Sequence, residues 1–289
     1  VAVVSQPDRG RGRGRVPSPS PVARVALRSG VPLLRPERVG SPEVAEALRD
    51  LAPDLGVVAA FGQFLPRRIR ELPRLGFLIN AHASLLPAYR GAAPIARSIL
   101  AGETRTGVSI MRVEKEMDAG PVALQRATPI GEGENAGELE ARLALLAADL
   151  VAEALEAISA GELRWTPQDH ARASFAPRVA REEARLDWRE PAAALVRRVR
   201  AMAPSPGAFT TLDGEPLRIL SARVLAGPVD REPGCVARGE EPPLRVATGE
   251  GWLEPCLVQR PGGRAMPVAA FLNGRPVPDG AQLGASMDA

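Results

Sequence analysis

Gly76-Phe-Leu-Ile-Asn-Ala-His-Ala-Ser-Leu-Leu-Pro-Ala-Tyr-Arg-Gly-Ala-Ala-Pro-Ile95 decides how this chain folds. Gly76–Asn80 is an apolar run of strand length, while Pro94 is suited to the first position of a helix that Gly102 ends. The residues between them read as a loop. Gly107–Val113 is a second short apolar run, so the order is strand, loop, helix, strand. That alternation marks a mostly parallel sheet with helices on its faces. Towards the N-terminus the pattern repeats: strands at Val1–Val4, Val31–Leu34 and Leu55–Ala60, and helices opened by Ser20-Pro21 and Ser41-Pro42. Ser followed by Pro places a capping hydroxyl ahead of a residue pre-set for the first helical turn. Towards the C-terminus come a strand at Pro121–Ala127 and a long helix from Asn135 to Ala160. The helix is predicted to bury Leu139, Leu143, Leu146, Leu150, Leu155 and Ile158.

Beyond Gly161 the pattern changes. Residues 164–186 are charged, contain Pro167 and Pro177, and read as a linker. A helix near Pro191–Met202 precedes five short strands, Ala208–Leu212, Pro216–Val224, Gly234–Ala237, Leu244–Ala247 and Trp252–Gln259, split by Gly and Pro. Such spacing predicts a small β-barrel. The expected organisation is therefore an α/β domain over 1–163, a linker over 164–186 and a barrel domain over 187–289.

Composition narrows the class. The 289 residues are 45% hydrophobic and 25% charged, enough to bury real cores, which excludes a fibre or a wholly disordered chain. The longest uncharged run, Leu75–Tyr89, is shorter than the ~20 residues of a membrane span, so no membrane partner is expected. Cys235 and Cys256 form no CxxC, and with His82 and His170 they give no zinc spacing, so neither a disulfide framework nor a metal is expected. A reducing cytoplasm is the expected location. The net charge of +3 is uneven, because residues 1–40 carry eight arginines against Asp8 and Glu37. Lys115 is the only lysine, so the basicity partly reflects residue usage and does not by itself specify a nucleic-acid partner.

Two segments could carry chemistry. Asn80 is expected to close its strand, with His82 in the loop beyond, at the edge where open α/β sheets bind ligands. An amide donor beside an imidazole suits stabilising a developing oxyanion and handling a proton. The second segment, Gly107-Val-Ser-Ile-Met-Arg-Val-Glu-Lys-Glu-Met-Asp-Ala-Gly-Pro121, delivers Asp118 from strand into loop. Taken separately, His82 also reads as a hydrogen-bonded loop histidine and Asp118 as a turn residue. Arg9-Gly-Arg-Gly-Arg-Gly-Arg15 lacks the spacing of a dinucleotide fingerprint and reads as a solvated loop.

Together, Asn80, His82, Ser84-Leu-Leu-Pro87 and Asp118 resemble the folate-dependent formyltransferases. Ser5-Gln-Pro-Asp-Arg9, Pro17–Val22, Tyr89-Arg-Gly-Ala-Ala-Pro-Ile95, Arg181-Glu-Glu-Ala-Arg-Leu-Asp-Trp188 and Pro204-Ser-Pro-Gly207 narrow the resemblance to the branch that acts on methionyl-tRNA. Gly249-Glu-Gly251 and Gln259 to Met266 extend it across the chain. The resemblance implies a Rossmann-like domain followed by an OB-like barrel. It implies transfer of a formyl group from 10-formyltetrahydrofolate to the α-amine of methionine on initiator methionyl-tRNA. Asn80 and a protonated His82 are then expected to stabilise the oxyanion, and Asp118 to support the imidazolium and hold a water that relays the amine's proton. Ser84, Leu85, Leu86 and Pro87 are expected to bind folate, with backbone around Phe61–Gln63 and Glu114–Asp118. Arg11, Arg13 and Arg15 are expected to meet the tRNA acceptor stem.

The resemblance also implies a strand and helix ahead of Val1, so the sheet is expected to lack a member. Arg197, Arg198 and Arg200 read equally as an extension of the basic path or as a solvated helix face. The enzyme is expected to be a monomer. Alternative readings of the same residues are formyl transfer to a small amine, hydrolysis of the folate, and a tRNA-binding fragment without activity.

Overall fold

The computed structural model describes residues 1–11 and 16–284, and of Arg11 only the backbone. β1 (Val3–Val4) leads into an antiparallel hairpin, β2 (Arg9–Arg11) and β3 (Val16–Ser18). α1 (Pro21–Arg28) starts where Ser20 accepts a hydrogen bond from the Ala23 N–H at 3.0 Å, and β4 (Leu33–Leu34) returns to pair in parallel with β1. Ser41 caps α2 (Pro42–Asp50) in the same way. Both caps answer to the Ser-Pro pairs in the sequence. β5 (Gly56–Val58), the short α3 (Arg67–Arg70), β6 (Leu78–His82), α4 (Pro94–Ala101), β7 (Arg105–Arg112) and β8 (Val122–Pro129) follow, and then the 24-residue α5 (Ala136–Ser159).

β5, β6, β7 and β8 form one four-stranded sheet in that order, while β1 and β4 form a separate parallel pair. β5 and β6 are parallel, but β7 runs antiparallel to β6, with Ile79 opposite Arg112 and His82 opposite Ser109. The sheet is thus mixed. Thr106 to Met111 of β7 are all buried, which explains why that strand reads as a continuous apolar run instead of an alternating one. On α5, Leu139, Leu143, Leu150 and Ala154 are buried, whereas Leu155 is 41% exposed. The apolar stripe turns at Ala154, one residue before the leucine expected to continue it, because 3.6 residues per turn carries Leu155 off the buried face.

After two single 3-10 turns, at His170–Arg172 and Glu182–Ala184, come α6 (Ala192–Met202), β9 (Ala208–Leu212), β10 (Glu215–Leu225), β11 (Val236–Arg238), β12 (Leu244–Ala247), β13 (Trp252–Gln259), β14 (Ala265–Pro267) and α7 (Val268–Gly274). The strands form one antiparallel sheet, in the order β11, β12, β13, β10, β9, with β14 added on β13. Residues 281–284 join its two ends. The Val236 N–H donates to the Ala281 carbonyl at 2.8 Å, and the Gly284 N–H donates to the Thr211 carbonyl at 2.9 Å. The sheet curls around Leu195, Val199, Ile219, Val246, Leu253 and Leu283, all buried, giving the expected OB-like barrel.

Residues 1–90, 108–126 and 146–173 pack as one compact unit, and 91–107, 127–145 and 174 onward as a second. Among the described residues no helix is long and apolar enough to cross a membrane.

Candidate active site

Asn80, His82 and Asp118 all belong to the first unit. Asn80 lies opposite Met111 and His82 opposite Ser109 in the β6–β7 ladder, so β6 continues two residues beyond its expected end. His82 is therefore a strand residue and not a loop residue. The pairing with β7 outlasts the apolar run that marked the strand in the sequence. The period of two in a strand puts Asn80 and His82 on one face. No described residue takes a hydrogen bond from the half-buried Asn80 carboxamide, whose N–H groups are therefore available to a ligand.

The His82 side chain is only 7% exposed and its ring stands between two oxygens. Nε2 lies 2.9 Å from the Tyr89 carbonyl, which can only accept, so Nε2 carries a proton. Nδ1 faces Asp118 Oδ2 at 3.6 Å. At that distance the Asp118 carboxylate faces the ring electrostatically, beyond the reach of a direct hydrogen bond. Both flanking residues are left-handed: φ is +59° at Tyr89 and +51° at Asp118. Side chains at positive φ are uncommon: five described residues other than glycine adopt it, and two of them stand at this ring. The turn beyond Asp118 needs Gly120, because a Cβ there would lie 2.0 Å from the Arg112 carbonyl oxygen.

The four loop residues expected to meet folate divide into two pairs. Ser84 and Leu86 are buried. The Ser84 hydroxyl donates to the Ala88 carbonyl at 2.5 Å, and the Leu86 N–H donates to Ser109 Oγ at 3.0 Å. Ser109 Oγ in turn donates to the Ser84 carbonyl at 2.6 Å, and Gln125 Nε2 donates both to the Leu86 carbonyl and to Ser109 Oγ at 2.8 Å. These two residues form the loop's inner side, while Leu85 and Pro87 are half-buried on its outer side. Sequence reasoning passed over Ser109 and Gln125. The available signal was a serine amid the apolar residues of a buried strand, which must find partners.

Phe61–Gln63 is held from the N-terminal side. Gln6 Nε2 donates to the Phe61 carbonyl at 2.6 Å, while Gln63 accepts from the Val39 N–H at 2.8 Å. Arg13 and Arg15 lie outside the described residues, as does the Arg11 side chain; the backbone of Arg9–Arg11 forms one arm of a hairpin. Arg198 and Arg200 make internal bonds in the second unit. Arg198 pairs with Glu190 at 2.7 Å, and Arg200 donates to the Glu134 and Gly131 carbonyls at 2.9 and 2.7 Å. Burial pulls the Arg200 guanidinium below its usual pKa. A cavity of about 900 Å³ in this unit is lined by Arg97, Glu183, Asp187, Trp188 and Arg198, well supplied with ion pairs of its own, and contains none of Asn80, His82, Asp118 and Ser84–Pro87. No three His, Cys, Asp or Glu side chains gather among the described residues to hold a metal.

Comparison with known proteins adds the chemistry. Residues 1–155 match the formyl transferase family and residues 178–276 match the formyl transferase C-terminal domain. A methionyl-tRNA formyltransferase of Solibacter usitatus is 46% identical over 283 residues, covering 98% of this chain and 90% of the relative. One from Halorhodospira halophila is 47% identical over 275 residues, covering 95% and 88%. Among solved structures, HypX from Aquifex aeolicus in complex with tetrahydrofolic acid superimposes with a TM-score of 0.65 at 20% identity. The match covers 88% of this chain and 44% of HypX. The sugar 3N-formyl transferase WlaRD superimposes with a TM-score of 0.61 at 14% identity, covering 87% and 85%. At such identities these two structures speak for the fold.

Proposed function

The chain belongs to the methionyl-tRNA formyltransferase family, and from that premise we infer that Asn80, His82 and Asp118 carry out the transfer of a formyl group to methionine on initiator methionyl-tRNA. The co-substrate 10-formyltetrahydrofolate supplies the formyl carbon. The observation that carries the reading is the His82 ring, set between the Tyr89 carbonyl and the Asp118 carboxylate and sharing a strand face with an available Asn80 amide.

As the methionine amine attacks, negative charge gathers on the formyl oxygen. The Asn80 N–H donates to that oxygen, and the imidazolium of His82 adds positive potential in a largely water-free site, where such terms act strongly. The Asp118 side chain is 17% exposed, more than twice the value for His82, so its carboxylate is the group that meets solvent. Through one water it takes up the proton that the amine sheds; as the tetrahedral intermediate collapses, the bond from the formyl carbon to folate N10 breaks and that proton passes to N10, so tetrahydrofolate leaves neutral. Leu85 and Pro87 present the outer side of the folate loop, where apolar contact suits a pteridine ring. Ser84 and Leu86 hold the loop in place from within.

Arg11, Arg13 and Arg15, in the arginine-rich stretch after β1, supply cations for the acceptor stem in this reading. In this reading residues 1–163 perform the chemistry, and the barrel of 187–289 also binds tRNA. One chain furnishes every catalytic group, which fits a monomer. Two free thiols, Cys235 and Cys256, fit a reducing cytoplasm. The test offers formyl-labelled folate with methionyl-tRNA, or with free amino sugars as the competing acceptor. Label on the tRNA is the expected result, and label on the small amine alone would overturn the reading.

A further inference from the structure

Arg90 follows Tyr89, the residue whose carbonyl holds His82, and its guanidinium is almost wholly buried. Arginine keeps its charge in proteins, so a buried guanidinium must be given acceptors. Arg90 Nε and Nη2 both donate to Gln168 Oε1, at 3.0 and 2.7 Å, and Nη1 stands 3.3 Å from His170 Nδ1. With Oε1 committed to Arg90, the Gln168 amide can face only one way. Its Nε2 donates to the carbonyls of Asp118 and Gly120, at 2.9 and 2.6 Å. Gln168 therefore grips both sides of the left-handed Asp118 turn. On the opposite side, the Arg112 carbonyl leaves room only for a glycine at position 120.

We propose that Gln168 is a positioning residue for the transfer, setting the distance between the two oxygens that hold the His82 ring. Through its oxygen it fixes the Tyr89–Arg90 segment, and through its nitrogen it fixes the backbone that carries Asp118. It stands in a stretch that reads as a linker, 50 residues from Asp118 and 78 from Arg90. This proposal rests on the assignment of His82 and Asp118 above. It adds a requirement: the carboxylate must be held at a set place as well as being present.

Gln168→Glu separates the two bonds. It keeps an oxygen for Arg90, now as an ion pair, but removes the donor and turns a second oxygen towards two carbonyls. Misplacing a catalytic group by about 1 Å costs up to about 100-fold, so kcat should fall about 10- to 100-fold, with KM for folate and for methionyl-tRNA within about threefold of wild type. In an Asp118→Ala background the same change should cost less than about twofold, because Gln168 acts through Asp118. Amide exchange at 118–120 should accelerate, while that of Asn80–His82 in the strand does not. Gln168→Asn, too short to span both partners, is the second variant if the glutamate variant does not fold. Unchanged kcat and unchanged exchange at 118–120 in a folded variant would overturn the proposal, as would an equal loss with Asp118 absent. A wild type that formylates no methionyl-tRNA would instead sink the functional reading, and the exchange measurement would still judge the grip on the turn.

Discussion

At the scale of single residues, the proposed site rests on two backbone conformations as well as on three side chains. Tyr89 and Asp118 adopt positive φ, at a cost on the order of 1–3 kcal/mol each, and both point an oxygen at His82. Asn80→Ala removes one donor to the developing oxyanion and should lower kcat by about 10²- to 10³-fold, with the fold intact. Steady-state formylation with both substrates saturating measures this, and a rate near wild type would mean that the amide points at nothing that reacts. Gly120→Ala forces a Cβ onto the Arg112 carbonyl, so the turn must open. Its expected signature is a drop in kcat together with a lower thermal midpoint; an unchanged midpoint would show that the turn is not tightly packed. The residue types Asn80, His82 and Asp118 were legible in the sequence. Their geometry was not, because a left-handed Asp and a carbonyl seven residues beyond His82 have no signature in composition or periodicity.

At the scale of elements, long periodic segments were readable and pairings were not. α5 shows its helical spacing plainly, and it opens with reciprocal bonds: the Asn135 N–H to Glu138 Oε2 at 2.9 Å, and the Glu138 N–H to Asn135 Oδ1 at 3.1 Å. The antiparallel turn of β7 against β6 left no mark, since a strand buried on both faces is apolar whichever way it runs. α7 went unread because its seven residues give too few repeats to set a period. Just ahead of α5, Glu134 accepts from Arg142 Nε and Nη2 at 2.9 and 2.8 Å, and from the Gly131 N–H. The Arg142 bond first, helped by the backbone N–H, holds the Glu134 carboxyl below its usual pKa. A carboxylate depressed by folding stabilises the native state above its unfolded value and loses that contribution as pH falls through the folded one. Glu134→Gln should therefore destabilise the protein near neutrality, with the gap to wild type closing on acidification below about pH 4.5. Urea midpoints across that range measure it, and a gap that stays constant would refute the pairing.

At the scale of the molecule, the sequence carried the two-part plan, an α/β sheet and then a barrel, through the change from helical to short alternating patterns. It did not show that residues 281–284 bridge the ends of the second sheet, because so short a segment has no periodicity of its own. Affinity for tRNA is a whole-molecule property, and the arginine-rich stretch after β1 is its proposed centre. Changing Arg11, Arg13 and Arg15 to Ala should raise KM for tRNA and lower the log–log salt slope by roughly 0.7 to 0.9 for each phosphate that no longer meets an arginine. Identical slopes would leave the stretch a solvated surface. The central claim is that His82 and Asp118 act as one unit in formyl transfer to methionyl-tRNA. Single-turnover formylation by wild type, His82→Ala, Asp118→Ala and the double variant, with folate binding checked in each, tests it most directly. Each single change should cost about 10²- to 10⁴-fold, and the double variant should be little worse than the weaker single variant. Rates within a few fold of wild type in either single variant would contradict the account.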